Sequence, residues 1–383
     1  VDRIEMVGDG LEAIGGALRR LLAGGFDLVC VTGGLGPTHD DLTMEAVARV
    51  TGRPLRLSEE ALAMVRAHSL AVQRRPDVQR AIQEKQAMLP EGARVLPPPG
   101  TAPGCALVHE GTVIVVLPGP PWELARMWEE ALPDDPLAGL LARAEAPDER
   151  VLRLWAVPES RLVAELEGWE PESWSRLRVG ICARAAELEV TVRARPGDAW
   201  AADALESRIA ERLPEALFSR DGRTIDEVVA DGLLAAGQTV AVAESCTGGL
   251  LGARLTERPG SSAYVLGGLI TYSNEAKTGL LGVDPEVIRS HGAVSAECAE
   301  AMARGARRAL GSDWALSVTG VAGPGGGTDE KPVGLVFLGI AAPDGTAAHV
   351  EHRRGGDRAT IRERSVAGAL HLLRRSLAAG APV

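Results

Sequence analysis

Aromatic residues are scarce in this chain, at 3% of 383 residues with two tyrosines and three phenylalanines. So few rings exclude a surface on which successive nucleic-acid bases stack. A basic excess is also absent: 41 Lys and Arg face 52 Asp and Glu, for a formal net charge of -11. That balance argues against nonspecific adhesion to nucleic acid or to an anionic membrane, and it confines any phosphate recognition to a local pocket. The five cysteines, Cys30, Cys105, Cys182, Cys246 and Cys298, are scattered without a C-x-x-C pair. This predicts a reduced, cytoplasmic chain without a zinc site. Cys246 alone lies beside a suspected site, and a buried packing role suits it best. No run is apolar and uncharged enough to span a bilayer, and no basic-then-apolar leader is seen, so no membrane partner is expected.

What is present is core-forming sequence: 45% of residues are hydrophobic, over a length that suits two or three cores. The first block alternates helical and strand-like stretches. Apolar spacing predicts a helix over 11–22, a strand over 26–31, a second strand over 112–117 and a helix over 122–131. Strand–loop–helix repetition implies a parallel sheet flanked by helices, with ligands at the carboxyl ends of its strands. Residues 132–150, rich in proline and aspartate, read as a connection. A small α+β module follows, with strands over 177–182 and 188–193 and a helix over 200–213. The last block starts near Thr224 and ends in a long helix over 358–378. The predicted domains are therefore 1–145, 150–222 and 224–383.

The last block carries the densest chemistry. The run Thr239-Val-Ala-Val-Ala-Glu-Ser-Cys-Thr-Gly-Gly249 is a strand that stops at a carboxylate and opens into hydroxyls and glycines before a helix. Such a turn is a ready socket for an anion, since glycine lets backbone N–H groups approach and the helix dipole attracts negative charge. The competing reading is a tight turn with a Ser or Thr cap and no ligand. Pro259-Gly-Ser-Ser262 and Tyr272-Ser-Asn-Glu-Ala-Lys277 follow, and none of the seven histidines falls in these motifs. A Ser-His-Asp triad is thereby disfavoured, and the remaining base for an activated serine is a lysine whose pKa falls through desolvation. Lys277 follows a strand, with Tyr272 close by to orient or relay protons. Thr319-Gly-Val-Ala-Gly-Pro-Gly-Gly-Gly327 reads as a substrate-covering loop rather than a flexible surface turn, and Arg358, at a helix start, as a phosphate clamp or equally a solvated arginine.

In the first block, Thr32-Gly-Gly-Leu-Gly-Pro-Thr-His-Asp-Asp-Leu-Thr43 leaves a strand through glycines and reaches two adjacent aspartates. Backbone N–H groups there suit phosphates, and Asp40 and Asp41 suit a divalent ion, Mg²⁺ by its preference for hard oxygen ligands. The alternative makes Thr38 or Asp40 a helix cap.

These motifs, with Gly292-Ala-Val-Ser295 and Lys331-Pro-Val-Gly334, closely resemble the nicotinamide-nucleotide amidohydrolase domain of the CinA family. The upstream loop and Leu117-Pro-Gly-Pro-Pro-Trp-Glu123 resemble that family's N-terminal domain, which is related to molybdopterin-binding proteins. The resemblance implies a multi-domain α/β fold: a parallel-sheet molybdopterin-binding-like domain, a KH-like α+β module and an α/β deamidase domain. It implies conversion of nicotinamide mononucleotide to nicotinate mononucleotide and ammonia without a cofactor, a metal-dependent ADP-ribose pyrophosphatase activity in front, and a homodimer. It further implies that Ser262 is the nucleophile, Lys277 the base and Tyr272 an assistant, with Ser245 the second choice of nucleophile. Glu244, Thr247, Gly248, Gly249, Thr319, Gly320 and Arg358 would bind the nucleotide. Gly33, Gly34, Gly36, Thr38, Gly119 and Pro120 would line the N-terminal cleft beside the metal ligands Asp40 and Asp41. Family members begin with a strand and a Val-Gly-Thr-Glu-Leu-type loop, whereas this sequence starts almost at Val7-Gly8-Asp9, so the first sheet is expected to lack that strand. The module lacks the Gly-x-x-Gly loop by which KH domains grip nucleic acid, so a domain-packing role is expected for it. A molybdopterin-binding protein or a competence-associated nucleic-acid accessory protein is the alternative.

Overall fold

The computed structural model describes residues 1–68, 76–144, 146–169 and 171–383, and the chain divides into two compact units, Val1–Glu145 and Ala146–Val383. The first unit runs α1 (Leu11–Ala23), β1 (Leu28–Thr32), α2 (Thr43–Val50), β2 (Leu55–Leu57), α3 (Glu59–His68), α4 (Pro76–Gln86) and β3 (Met88–Pro90). It continues through β4 (Arg94–Leu96), β5 (Gly104–His109), β6 (Thr112–Leu117), α5 (Pro121–Ala131) and α6 (Leu137–Leu141). Its main sheet has the order β1-β6-β5-β4. Only β1 and β6 are parallel, with Val29 opposite Ile114 and Thr32 opposite Leu117; the other pairs are antiparallel. The expectation of a parallel sheet therefore holds for that one pair. The reason is local: β5 and β6 are joined by Glu110 and Gly111 at φ 47° and 90°, a two-residue hairpin turn that can connect only antiparallel strands.

Both faces of β6 are covered, which is why it is apolar throughout after Thr112. Ile114 and Val116 pack with Leu18 and Val47 on one side. Val113, Val115 and Leu117 pack with Met127 and Leu137 on the other. The stretch read as a connection is partly structured. It holds α6 and the first residues of the next strand, and its residue 145 lies outside the described residues.

The second unit opens with β7 (Asp148–Trp155), α7 (Glu159–Leu166), α8 (Pro171–Ser175), β8 (Leu177–Arg184), β9 (Glu187–Ala194), α9 (Ala199–Arg212) and β10 (Leu217–Ser219). These build an antiparallel sheet of order β10-β7-β9-β8, whose buried residues pack with Leu205 and Ile209 of α9. Strand β7 hides in the sequence because it opens on three consecutive charged residues, Asp148-Glu-Arg150; Arg150 is held by Asp148 at 2.9 Å and Asp203 at 2.5 Å.

Next come α10 (Ile225–Ala236), β11 (Val240–Glu244), α11 (Leu250–Thr256), β12 (Val265–Ile270), α12 (Asn274–Leu281), α13 (Pro285–His291) and α14 (Ala296–Leu310). Strands β13 (Trp314–Gly320), β14 (Leu335–Ala341) and β15 (Ala347–Arg353) and helix α15 (Arg358–Ala379) finish the chain. The sheet order is β12-β11-β13-β14-β15, with the first three strands parallel and the last two antiparallel. Alternation along β11 sorts its side chains. Val240 and Val242 join the core under α10 and α15, while Ala241 and Ala243 face α14 with Cys298 and Met302. Small residues on that second face let α14 lie close, and a Cβ on Gly339 would come within 2.4 Å of the Ala299 carbonyl.

Helix α15 also meets the preceding module. His371 is buried, its ring stacked on Trp155 at 4.0 Å and edge-on to Phe218 at 4.7 Å. Its Nε2 lies 3.0 Å from Glu187 Oε1. Burial pushes its pKa down to about 4, against the pull of Glu187. An unfolded histidine protonates near 6.5, so the unfolded chain takes up a proton that the folded chain refuses. Stability is therefore expected to fall as pH drops from about 6.5 towards 4, by about 3 kcal/mol from this group. Denaturant unfolding of the parent and of His371→Phe at both ends of that window tests it; equal pH dependence in the two chains would refute the assignment.

Candidate active site

The carboxyl ends of β11, β12 and β13 gather the motif residues of the last block. Glu244 ends β11 and is 1% exposed. Its carboxylate accepts from the amides of Gly249 at 3.0 Å, Leu251 at 3.1 Å and Gly252 at 2.8 Å. This corrects the expectation of a phosphate socket at the start of α11 for Glu244, Gly248 and Gly249. The anion that fills the socket is the chain's own Glu244, and donors already bonded to a buried carboxylate are not free for a ligand. The amide of Gly248 is likewise taken, by the Ser245 carbonyl at 3.1 Å. Gly248 and Gly249 have φ of 57° and 98°, which is what the turn requires of them.

Ser245 follows directly, and its amide donates to Val318 at 2.9 Å, so the residue continues the sheet ladder. Lys277, in the first turn of α12, is 1% exposed and extends back under the sheet. Its Nζ lies 3.1 Å from Ser245 Oγ, 2.8 Å from the Thr271 carbonyl and 3.3 Å from the Tyr272 carbonyl. No carboxylate pairs with it among the described residues. Burial lowers its pKa, opposed by the nearby Cys298 and Cys246 thiols. A neutral amine has two N–H donors and one lone pair. The two carbonyls accept the donors, which leaves the lone pair for the Ser245 hydroxyl proton. Helix α12 reaches this point because Ser273 caps it, accepting from Ala276 N, and so turns the chain sharply after β12.

Two further expectations are corrected. Ser262 lies in a one-turn 3-10 helix ahead of β12, where Val240, the first residue of β11, donates to Tyr264 at 2.7 Å. It therefore sits at the amino ends of strands whose carboxyl ends carry Ser245 and Lys277. A five-residue strand such as β11 separates the two ends by about 15 Å within one chain. Tyr272 meets Lys277 through its carbonyl rather than its phenol. Its side chain is 64% exposed, and its hydroxyl lies 3.4 Å from Arg358 Nη2.

Arg358 starts α15 and also donates to the Gly323 carbonyl at 2.8 Å, so it tethers the glycine-rich loop. Thr319 is buried, and its hydroxyl donates to the Ala293 carbonyl at 2.6 Å. Gly320 is small for packing reasons, since a Cβ there would come within 2.7 Å of the Leu335 carbonyl. Sequence reasoning missed Arg362, which donates to the carbonyls of Cys246 at 3.1 Å and Thr247 at 2.7 Å and pins the serine turn. Its spacing of four from Arg358 on one helix was the available signal. It also missed the hydroxyl of Thr271, which is buried without a partner among the described residues, as is that of the expected binding residue Thr247.

In the first unit, the loops after β1 and β6 lie side by side. Gly33 N donates to Leu117 at 3.0 Å, and a Cβ on Gly119 would lie 3.5 Å from Gly33 Cα. Gly119 and Pro120 are exposed where α5 begins. Gly33 and Gly34 have φ of 90° and 65°, and Thr43 Oγ1 ties the loop by donating to Gly33 at 2.8 Å. Asp41 Oδ2 accepts from the amide of Thr38 at 2.8 Å and its hydroxyl at 2.5 Å, which closes the loop over Gly36. Burial works against ionisation of Asp41, but these bonds hold its pKa below the usual carboxylate value. Asp40 is exposed, its pKa lowered mainly by Thr38. Among the described residues no three His, Cys, Asp or Glu side chains gather into a metal cluster. Two carboxylates suit an ion that keeps most of its waters or takes phosphate oxygens. A cavity of about 200 Å³ beside Asp41, but not lined by Asp40, is bounded by Gly34, Gly36, Glu45 and Lys85 among others.

Residues 222–377 match the CinA C-terminal domain and residues 1–136 the probable molybdopterin binding domain. A CinA-like protein of Mycolicibacterium gilvum is 46% identical over 389 residues, covering 99% of this chain and 91% of the relative. A CinA-like protein of Mycolicibacterium paratuberculosis is 44% identical over 394 residues, covering 98% of this chain and 90% of the relative. Among solved structures, a competence/damage inducible protein of Agrobacterium tumefaciens is 45% identical, with a TM-score of 0.39 over 40% of this chain and 95% of that one. With relatives at these identities along nearly its whole length, the chain belongs to the CinA family, with a molybdopterin-binding-like domain in front and a CinA C-terminal domain behind.

Proposed function

We propose that the C-terminal domain hydrolyses the amide of nicotinamide mononucleotide, with Ser245 as nucleophile and Lys277 as general base. The observation that carries this reading is the buried Lys277 amine, 3.1 Å from the Ser245 hydroxyl and unopposed by a carboxylate among the described residues. Ser245 Oγ attacks the carboxamide carbon while its proton passes to Nζ. Lys277 then gives that proton to the amide nitrogen, the C–N bond breaks and ammonia leaves, and an ester remains on Ser245. Water attacks the ester carbon and loses a proton to Lys277. The bond to Ser245 breaks, Oγ takes the proton back, and nicotinate mononucleotide departs. Arg358, exposed beside Tyr272, is the cation that suits the substrate phosphate. The chain incubated with nicotinamide mononucleotide is expected to release ammonia in step with nicotinate mononucleotide. No release from the pure chain removes the proposal.

On this reading the first unit hydrolyses ADP-ribose; Asp40 and Asp41 would hold a divalent ion, which would neutralise phosphate charge, and the glycine loop would receive the pyrophosphate. An Mg²⁺-dependent activity that Asp41→Asn lowers at least tenfold is expected, and an unchanged rate in that variant would exclude the assignment. A homodimer is supported by the edge strand β12, where Leu266, Ile270 and the adjoining Leu280 expose apolar surface. Sedimentation as a single chain at micromolar concentration would remove that part.

A further inference from the structure

Some half-buried arginines of this chain meet a carboxylate, as Arg254 binds Asp226 through two bonds of 2.8 Å, and others donate to backbone carbonyls, as Arg362 does. Neither Arg354 nor Arg364 has an ion-pair partner among the described residues, and the Nε of each is buried with nothing to donate to. They are neighbours, because Arg364 Nη1 donates to the carbonyl of Gly355, the residue after Arg354, at 2.7 Å. A third group joins them. His352, two residues before Arg354, has a buried Nδ1 without a partner. It packs against α15 where a Cβ on Gly368 would come within 2.5 Å of its ring. On the far side the Arg354 guanidinium lies 5.6 Å from the ring centre of Trp155 on β7.

Three elements thus converge on a cluster that is cationic and uncompensated. Burial, and then the charge of Arg364, push the pKa of Arg354 down; burial, and then Arg354, push that of His352 down to about 4. Desolvating adjacent cations without a counter-ion is costly, and the packing of an apolar pair would serve the fold better. An anion bound there cancels that cost. Two adjacent guanidiniums with buried Nε–H groups that have nothing to donate to, beside an imidazole, supply donors of the kind that bind the oxygens of a tetrahedral oxyanion.

We propose that His352, Arg354 and Arg364 form a phosphate-binding site at the junction of β15, α15 and Trp155, separate from the Ser245–Lys277 pair. The phosphate belongs either to free inorganic phosphate or to a phosphomonoester. Thermal unfolding of the full chain tests this in an Arg358→Gln background, which removes phosphate held beside Tyr272. Inorganic phosphate, titrated against chloride and acetate at constant ionic strength, is expected to raise the midpoint by about 3 °C near saturation, with chloride and acetate inert. Adding Arg354→Gln and Arg364→Gln should raise the starting midpoint, by relieving the repulsion, and abolish the phosphate response. A response to phosphate no greater than to acetate, or one that survives both substitutions, overturns the proposal. Should the double variant not fold, Arg364→Lys keeps the charge without the fork and should lose most of the response; an unaltered response overturns the proposal equally. A larger effect of adenosine 5′-monophosphate assigns the site to a phosphomonoester, and an equal or smaller one to free phosphate.

Discussion

Lys277→Ala and Ser245→Ala are each expected to cut ammonia release from nicotinamide mononucleotide by about 10³-fold or more, while Ser262→Ala stays within about twofold. The contrast follows from placement. Ser245 and Lys277 meet at the carboxyl ends of β11 and β12, and Ser262 stands at the opposite ends of the same strands. Two residues that act as one unit should also be non-additive, so the double variant should be little worse than either single one. If Ser262→Ala abolishes release and Ser245→Ala spares it, the mechanism is wrong in its nucleophile. The rate should rise with pH to a plateau whose midpoint lies below the ordinary lysine value, because only the neutral amine takes the serine proton. Stability carries the same signature. The pKa of Lys277 is depressed in the folded chain, whereas an unfolded lysine protonates near 10.4. Stability is therefore lost as pH falls from that value through the folded pKa, and below it the cost is fully present. Lys277→Met should accordingly be inactive and more stable than the parent at neutral pH, measured by urea unfolding.

Glu244→Ala is expected to destabilise the second unit by about 3–5 kcal/mol in urea unfolding, among the largest single losses available in it. The carboxylate is buried and satisfies three amides at the start of α11, and alanine would leave all three N–H groups without that partner. Glu244→Gln keeps an acceptor oxygen and should lose less. Ser245 is the next residue, so ammonia release should fall with the cap in both variants, and more in the alanine one. An alanine variant that unfolds at the parent's urea concentration would mean that the cap contributes nothing.

The motif run from Thr239 to Gly249 was legible as strand, turn and helix because apolar alternation, small residues and glycine punctuate it in one dimension. Its chemistry was not. A glutamate ending a strand reads equally as a ligand contact or as a helix cap, and only the course of α11 back over Glu244 decides for the cap. Lys277 was legible as a base because the motifs hold no histidine, yet its partner depended on which end of the sheet each serine occupies. The start of strand β7 is not legible because its run Asp148-Glu-Arg150 imitates a polar connection until Asp203 and Glu206 are seen to receive Arg150.

Local order, composition and motif spacing determined by themselves that this chain would be an α/β protein carrying a serine, a lysine and glycine turns at strand ends. Those properties depend on neighbours within a few residues, where propensity and periodicity act. The tertiary structure alone decided that Ser245 rather than Ser262 meets the lysine, that Glu244 is bonded inward, and that Arg354 and Arg364 lie together without a carboxylate. Each of these is a meeting of segments far apart in the chain, set by how strands cross over and how helices pack on their two faces.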